Sequence, residues 1–124
     1  LECDVLELLW RASAGQLADF DLRVNDQHAM CVVIASRGYP ESYPKGDLIN
    51  LPDPLPANVA VIQAGTATND AGQLVTAGGR VLGVTAMANN LKDAADIAYA
   101  TCEQVDCVSK VYRRDIGARQ FNRE

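Results

Sequence analysis

The sequence predicts an α+β fold, a small, mainly antiparallel β domain with a flanking helix, preceded by a connecting helix. Apolar residues recur at helical spacing in two separate segments, and short β-branched runs bounded by glycine and proline lie between them. Those runs follow one another instead of alternating with helices, and this order favours antiparallel pairing over a parallel crossover sheet.

The first element spans Leu1 to about Ala14, where Val5, Leu8, Leu9 and Ala12 recur at three- and four-residue spacing among Glu2, Asp4 and Arg11. One amphipathic helix fits this pattern, and Gly15 is placed to end it in the left-handed conformation. The pattern is already under way at Leu1 with no capping residue ahead of it. The expectation is therefore a piece of a longer chain whose upstream residues satisfy the first helical amides.

Ala29 to Ala35 is an apolar, β-branched run closed by Gly38 and Pro40, which predicts a strand buried on both faces. All five prolines fall between Tyr39 and Asn58, so that segment is the longest loop. Val59 to Gln63 reads as a second strand. A hairpin is predicted next: a turn at Asn69 to Gly72, a strand over Gln73 to Thr76, a tight Gly78-Gly79 turn and a returning strand over Arg80 to Thr85. Asn90 offers an N-cap to a second helix with Asp93 in its first turn. Leu91, Ala94, Ala95, Ala98, Cys102 and Val105 form its apolar stripe, small enough to sit close on a sheet. A last strand is expected over Val108 to Ile116, followed by a polar tail after Gly117.

With 124 residues, 48% hydrophobic and 22% charged, the chain has an ordinary globular composition and should bury roughly 65–70% of its unfolded surface in one core. A net charge of -5, with basic residues scattered until Lys110 to Arg123, argues against a nucleic-acid binder. No apolar run is long enough to span a bilayer, so no membrane partner is expected. Cys3, Cys31, Cys102 and Cys107 match no zinc spacing and His28 is the only histidine, so no metal site is expected. Four free thiols and the lack of a secretory pattern point to a cytoplasmic protein.

The best candidate site is where three glycine-bearing loops could converge: Arg37 to Gly46, Gln63 to Thr66, and Gly78-Gly79-Arg80. Glycine lets backbone amides approach an anion, and Lys45 and Arg80 could supply charge. The alternative is that each glycine serves a turn and each cation is solvated. Arg113 and Arg114 flank Asp115, so one arginine could tie the structure while the other reaches a pocket. His28 lacks a nearby nucleophile and reads as structural. No phosphate-binding glycine motif or serine elbow occurs, so the chain shows no self-contained nucleotide site and no catalytic residue.

Five motifs in order resemble the C-terminal region of the phosphoribosylamine-glycine ligases: Leu1 to Leu9, Gly38-Tyr39-Pro40-Glu41-Ser42-Tyr43-Pro44-Lys45-Gly46-Asp47, Ala64-Gly65-Thr66, Leu74 to Ala86, and Tyr112 to Gly117. The resemblance covers nearly the whole chain. It implies the C-terminal domain of an ATP-grasp ligase, a β-rich unit with a flanking helix that closes one side of the substrate cleft. Residues 1–24 would be the terminal helix of the grasp domain and a linker, and residues 25–124 the C-terminal domain. The family's reaction joins glycine to phosphoribosylamine at the expense of ATP, with Mg²⁺ or Mn²⁺. Nucleotide and metal would be held by the remainder of the same enzyme, so none is expected on this piece. The substrate-binding residues implied are Arg80, Gly78, Gly79, Lys45 and Thr66, and the arginine pair adds Arg113 as a further candidate. Arg37 and Glu41 stand at loop positions that are often glycine in the family, and Gln63 where a histidine commonly precedes Ala-Gly-Thr.

Two other readings compete. A biotinyl or lipoyl carrier would need a lysine at an exposed hairpin tip, and the Gly78-Gly79 tip has none. A regulatory or interaction domain could keep the fold without the reaction.

Overall fold

The computed structural model describes residues 1–121. Its elements are α1 (Val5–Ser13), β1 (His28–Ser36), β2 (Val59–Gln63), β3 (Thr66–Thr68), β4 (Leu74–Thr76), β5 (Arg80–Ala88), α2 (Leu91–Gln104), β6 (Lys110–Val111) and α3 (Ala118–Phe121). The main sheet has the order β2-β5-β1-β6, and every neighbouring pair is antiparallel. The small α+β architecture predicted from the sequence is the one observed.

One face of this sheet is the core. Val32, Ile34, Val84 and Ala86 point to it, and α2 lies across them with Ala94, Ala95, Ala98 and Cys102, all buried. Alanine at these positions brings the helix axis close to the strands, which is why so short a side-chain stripe still excludes water. Asn90 caps α2 by accepting from the Asp93 amide at 2.8 Å, as its sequence implies. At the other end, Lys110 Nζ donates to the carbonyls of Cys102, Glu103 and Val105. A cation satisfying the last carbonyls complements the negative end of the helix dipole.

Several expectations are corrected. The start of α1 is capped from within the chain, since Asp4 accepts from the Glu7 amide at 3.0 Å. Its C-terminus behaves as predicted: Gly15 has φ 68°, its amide donates to Ala12 and the Gln16 amide donates to Arg11. The β1 strand is buried on one face only, in strict alternation, because α2 covers one side of the sheet and the other lies open. The long proline-bearing segment is partly pinned to the domain through Ile49, which is buried, and through bridges from Leu48 to Val75 and Asn50 to Asp106.

The predicted hairpin is also re-paired. Across the Asn69–Gly72 turn, β4 pairs with β3, while β5 joins β1 and β2 in the other sheet. Gly78 and Gly79 have no positive φ, so they form a crossing between sheets and not a tight turn. The last strand is short because, after Val111, the side chains of Tyr112 to Asp115 turn to local partners. The tail contains α3, held by Gly117 at φ 81° and by Phe121 packed against the core.

Candidate functional site

Two of the three glycine-bearing loops meet in direct contact and the third packs over them. The Ala77 and Gly78 amides both donate to the Gly65 carbonyl, at 2.8 and 3.0 Å, and the Gly65 amide donates to the Arg80 carbonyl at 2.8 Å. A Cβ on Gly65 would fall 2.7 Å from Gly78 Cα, so the backbones touch where any larger residue would part them. A Cβ on Gly79 would overlap the ring of Tyr39, which is the third loop's contribution. Ser36, fully buried at the end of β1, locks the arrangement: its amide donates to Gly79 at 2.8 Å and its hydroxyl to Gly78 at 3.3 Å.

This geometry changes what the glycines do. The amides of Gly65, Ala77 and Gly78 are spent on the carbonyls of Arg80 and Gly65 and cannot cradle an anion. They build a rigid platform for Arg80, whose side chain is exposed and, among the described residues, makes no ion pair or side-chain hydrogen bond. A guanidinium held at a sheet end without an acid beside it suits an anionic ligand.

An open groove of about 650 Å³ runs from that platform onto the uncovered face of the sheet. Arg80, Gly79 and Tyr39 form one end, and Val33, Ile62 and Gly83 form the floor. Among its described lining residues there is one cation and no carboxylate, so the chemistry available is binding of an anion against an apolar surface.

The other predicted site residues are placed as follows. Gly78 backs the groove. Thr66 lies half-buried beside Gly65, its hydroxyl donating to Gln63 at 3.2 Å. Lys45 sits one layer out, its ammonium 5.9 Å from the ring centre of Tyr43, which in turn meets Tyr39 edge to face. Arg113 is not brought to the groove. It holds Asp115 in a two-bond pair at 2.8 and 2.6 Å, which raises its own pKa and lowers that of the Asp115 carboxyl. Arg114 bonds Glu103 at 3.1 Å and lies over the Tyr112 ring. Arg113 thus acts as a tie, while Arg114, besides bonding Glu103, lines a second cavity with Lys92, Tyr99, Ile116 and Phe121. The floor residues were missed in the sequence, where the one available signal was a glycine inside the apolar run Val81-Leu82-Gly83-Val84.

Among the described residues, no helix is long and apolar enough to cross a membrane. No three His, Cys, Asp or Glu among them are grouped so as to hold a metal ion.

Residues 29–119 match the family described as "Phosphoribosylglycinamide synthetase, C domain". A protein of Leptospira interrogans named phosphoribosylamine–glycine ligase is 40% identical over 96% of this chain and 28% of its own length. One of the same name from Rhizobium meliloti is 46% identical over 100% of this chain and 29% of its own length. A bifunctional purine biosynthetic protein of Pichia angusta is 41% identical over 98% of this chain and 15% of its own length. Among solved structures, the crystal structure of phosphoribosylamine–glycine ligase from Thermotoga maritima is similar with a TM-score of 0.64 and 42% identity, over 71% of this chain and 21% of that one. This chain therefore spans under a third of the length of these relatives.

Proposed function

The chain belongs to the family of the phosphoribosylglycinamide synthetase C domain, and on that premise we propose that it is the C-terminal part of an ATP-dependent ligase of purine biosynthesis. The reaction joins glycine to 5-phosphoribosylamine and yields glycinamide ribonucleotide, ADP and phosphate. The observation that carries this chain's share of the work is Arg80, exposed at the head of the groove and making no ion pair among the described residues. Its role is to hold the phosphate of phosphoribosylamine, on the platform made by Gly65, Gly78 and Gly79. Lys45 and Thr66 support that end of the site from behind the tyrosines and from the neighbouring loop.

ATP, glycine and Mg²⁺ or Mn²⁺ are held by the remainder of the same cytoplasmic enzyme, and this chain alone is inactive. Residues 1–24 belong with that remainder and residues 25–124 form the C-terminal domain. Two observations support this division: α1 buries none of its side chains against the sheet, and the family match starts at residue 29.

In the complete ligase, Arg80→Ala should raise the KM for phosphoribosylamine about ten- to a hundred-and-fifty-fold, the value of a charge-assisted hydrogen bond. The KM values for ATP and glycine should stay nearly constant. Equal effects on all three substrates, with a loss of thermal stability, would instead assign Arg80 a structural role. Titration of the isolated chain with Mg-ATP should show no binding tighter than millimolar.

A further inference from the structure

Gly83 has no structural reason to be a glycine. It sits in the middle of β5, the strand paired on both sides, opposite Val33 of β1 and Ile62 of β2. Its φ is not positive, so the backbone does not require it. A Cβ there would lie 3.5 Å from Cys31 Sγ and 3.9 Å from Ile62 Cβ, ordinary van der Waals contact, so packing does not require it either. Glycine inside a strand weakens the strand; the pairing with β1 shifts register at Val81, two residues away, but Gly83 itself is in regular register with Val33 and Ile62, which leaves close approach by a ligand or another backbone as its cause.

The surroundings favour a ligand. The missing side chain makes a trough across the open face, walled by Val33 at 44% exposure and Ile62 at 58%. The trough lies in the same groove as Arg80, three residues or about 10 Å along the strand. The groove's volume is in the range of small-molecule sites. A five-carbon sugar presents a C–H face suited to an apolar floor, and its terminal phosphate projects from the end of the molecule.

We propose that the Val33–Gly83–Ile62 row is the floor on which the sugar ring of phosphoribosylamine rests while its phosphate reaches Arg80, with Gly83 as a specificity-determining residue. This rests on the phosphate role given to Arg80 above. Tyr39 stands at the rim, its ring fixed against Gly79.

The test is Gly83→Ala and Gly83→Val in the complete ligase, beside Arg80→Ala. Alanine, which adds one carbon, should raise the KM for phosphoribosylamine and weaken calorimetric binding of glycinamide ribonucleotide by roughly ten- to two-hundred-fold, the effect of one carbon in a fitted apolar pocket, and valine, which adds three, should do so at least as strongly. The KM values for ATP and glycine should not move, and the thermal midpoint should not fall, since replacing a strand glycine does not weaken the strand. Unchanged phosphoribosylamine KM in the valine variant would overturn the proposal and, if Arg80→Ala still raised it, would leave the phosphate assignment standing. A joint change in all three KM values and the thermal midpoint would also overturn it, since the trough would then seat another segment of the enzyme. A silent Arg80→Ala beside an active Gly83→Val would remove the phosphate role and, with it, the orientation proposed for the sugar.

Discussion

Ile34 and Val33 are neighbours on β1, yet the first is 1% exposed and the second 44%. They belong to the two faces of one sheet. The closed face meets α2 and carries the branched residues of β1 and β5 packed on alanines; the open face carries Val33, Gly83 and Ile62 beside a free arginine. Both faces are apolar, so hydrophobicity alone does not separate the surface that folds the domain from the surface that receives something else. The difference lies in side-chain volume and partnering. The closed face is buried under α2 by side chains from both layers, whereas the open face keeps a trough at its centre.

The largest effect that would sharpen this comparison is Ile34→Ala, expected to cost about 2–5 kcal/mol through the cavity it leaves. Val33→Ala, one residue away, should cost less than about 0.5 kcal/mol because its face is not packed in this chain. Urea unfolding of the two variants measures both, and similar losses would break the distinction between the faces.

A smaller effect separates the two helices in the same way. Asn90→Ala should lower the stability of the whole domain by about 1 kcal/mol, since α2 unfolds with the sheet it covers. Asp4→Ala removes an equivalent cap from α1, which buries nothing, so it should reduce the helical circular dichroism signal without moving the unfolding midpoint. A common shift would mean that α1 and the sheet unfold as one unit.

The smallest perturbation uses the cysteines as reporters. Cys31 is exposed on the open face, and Cys102 is buried on the inner side of α2, where burial pushes its thiol up to about 11. At about pH 8, iodoacetamide should therefore alkylate Cys31 and spare Cys102, because the thiolate is the reactive form. Because the folded thiol lies above its ordinary value of 9.0, its contribution to stability is complete below that value and is lost as pH rises through about 11. Peptide mapping after labelling reads the result, and equal labelling would show that the closed face opens readily.

Much of the fold was legible in the sequence because local chemistry determines it. The period of Leu91 to Val105, the Asn90 cap, the Gly15 terminus and the β-branched run of β1 each fix an element through interactions a few residues long. Arg80 and the glycine loops were legible as a candidate site for the same reason, since glycine and a fixed cation are conspicuous in any chain. The partner of each strand was not. A segment such as β4 pairs equally well in local terms with β3 or β5, and in the fold it pairs with β3 while β5 lies between β1 and β2.

The sequence by itself determined the α+β class, the positions of the two long helices, the alternation that gives each strand two faces, and the absence of any self-contained nucleotide motif. Only the tertiary structure decided that the amides of Gly65, Ala77 and Gly78 are spent on backbone carbonyls, that Arg113 is held by Asp115, and that Gly83 lies between Val33 and Ile62 on a face that no other described element covers. The physical reason is sequence distance. These outcomes depend on residues from separate strands and loops brought within a few ångströms, and no periodicity or propensity carries information about which of them meet.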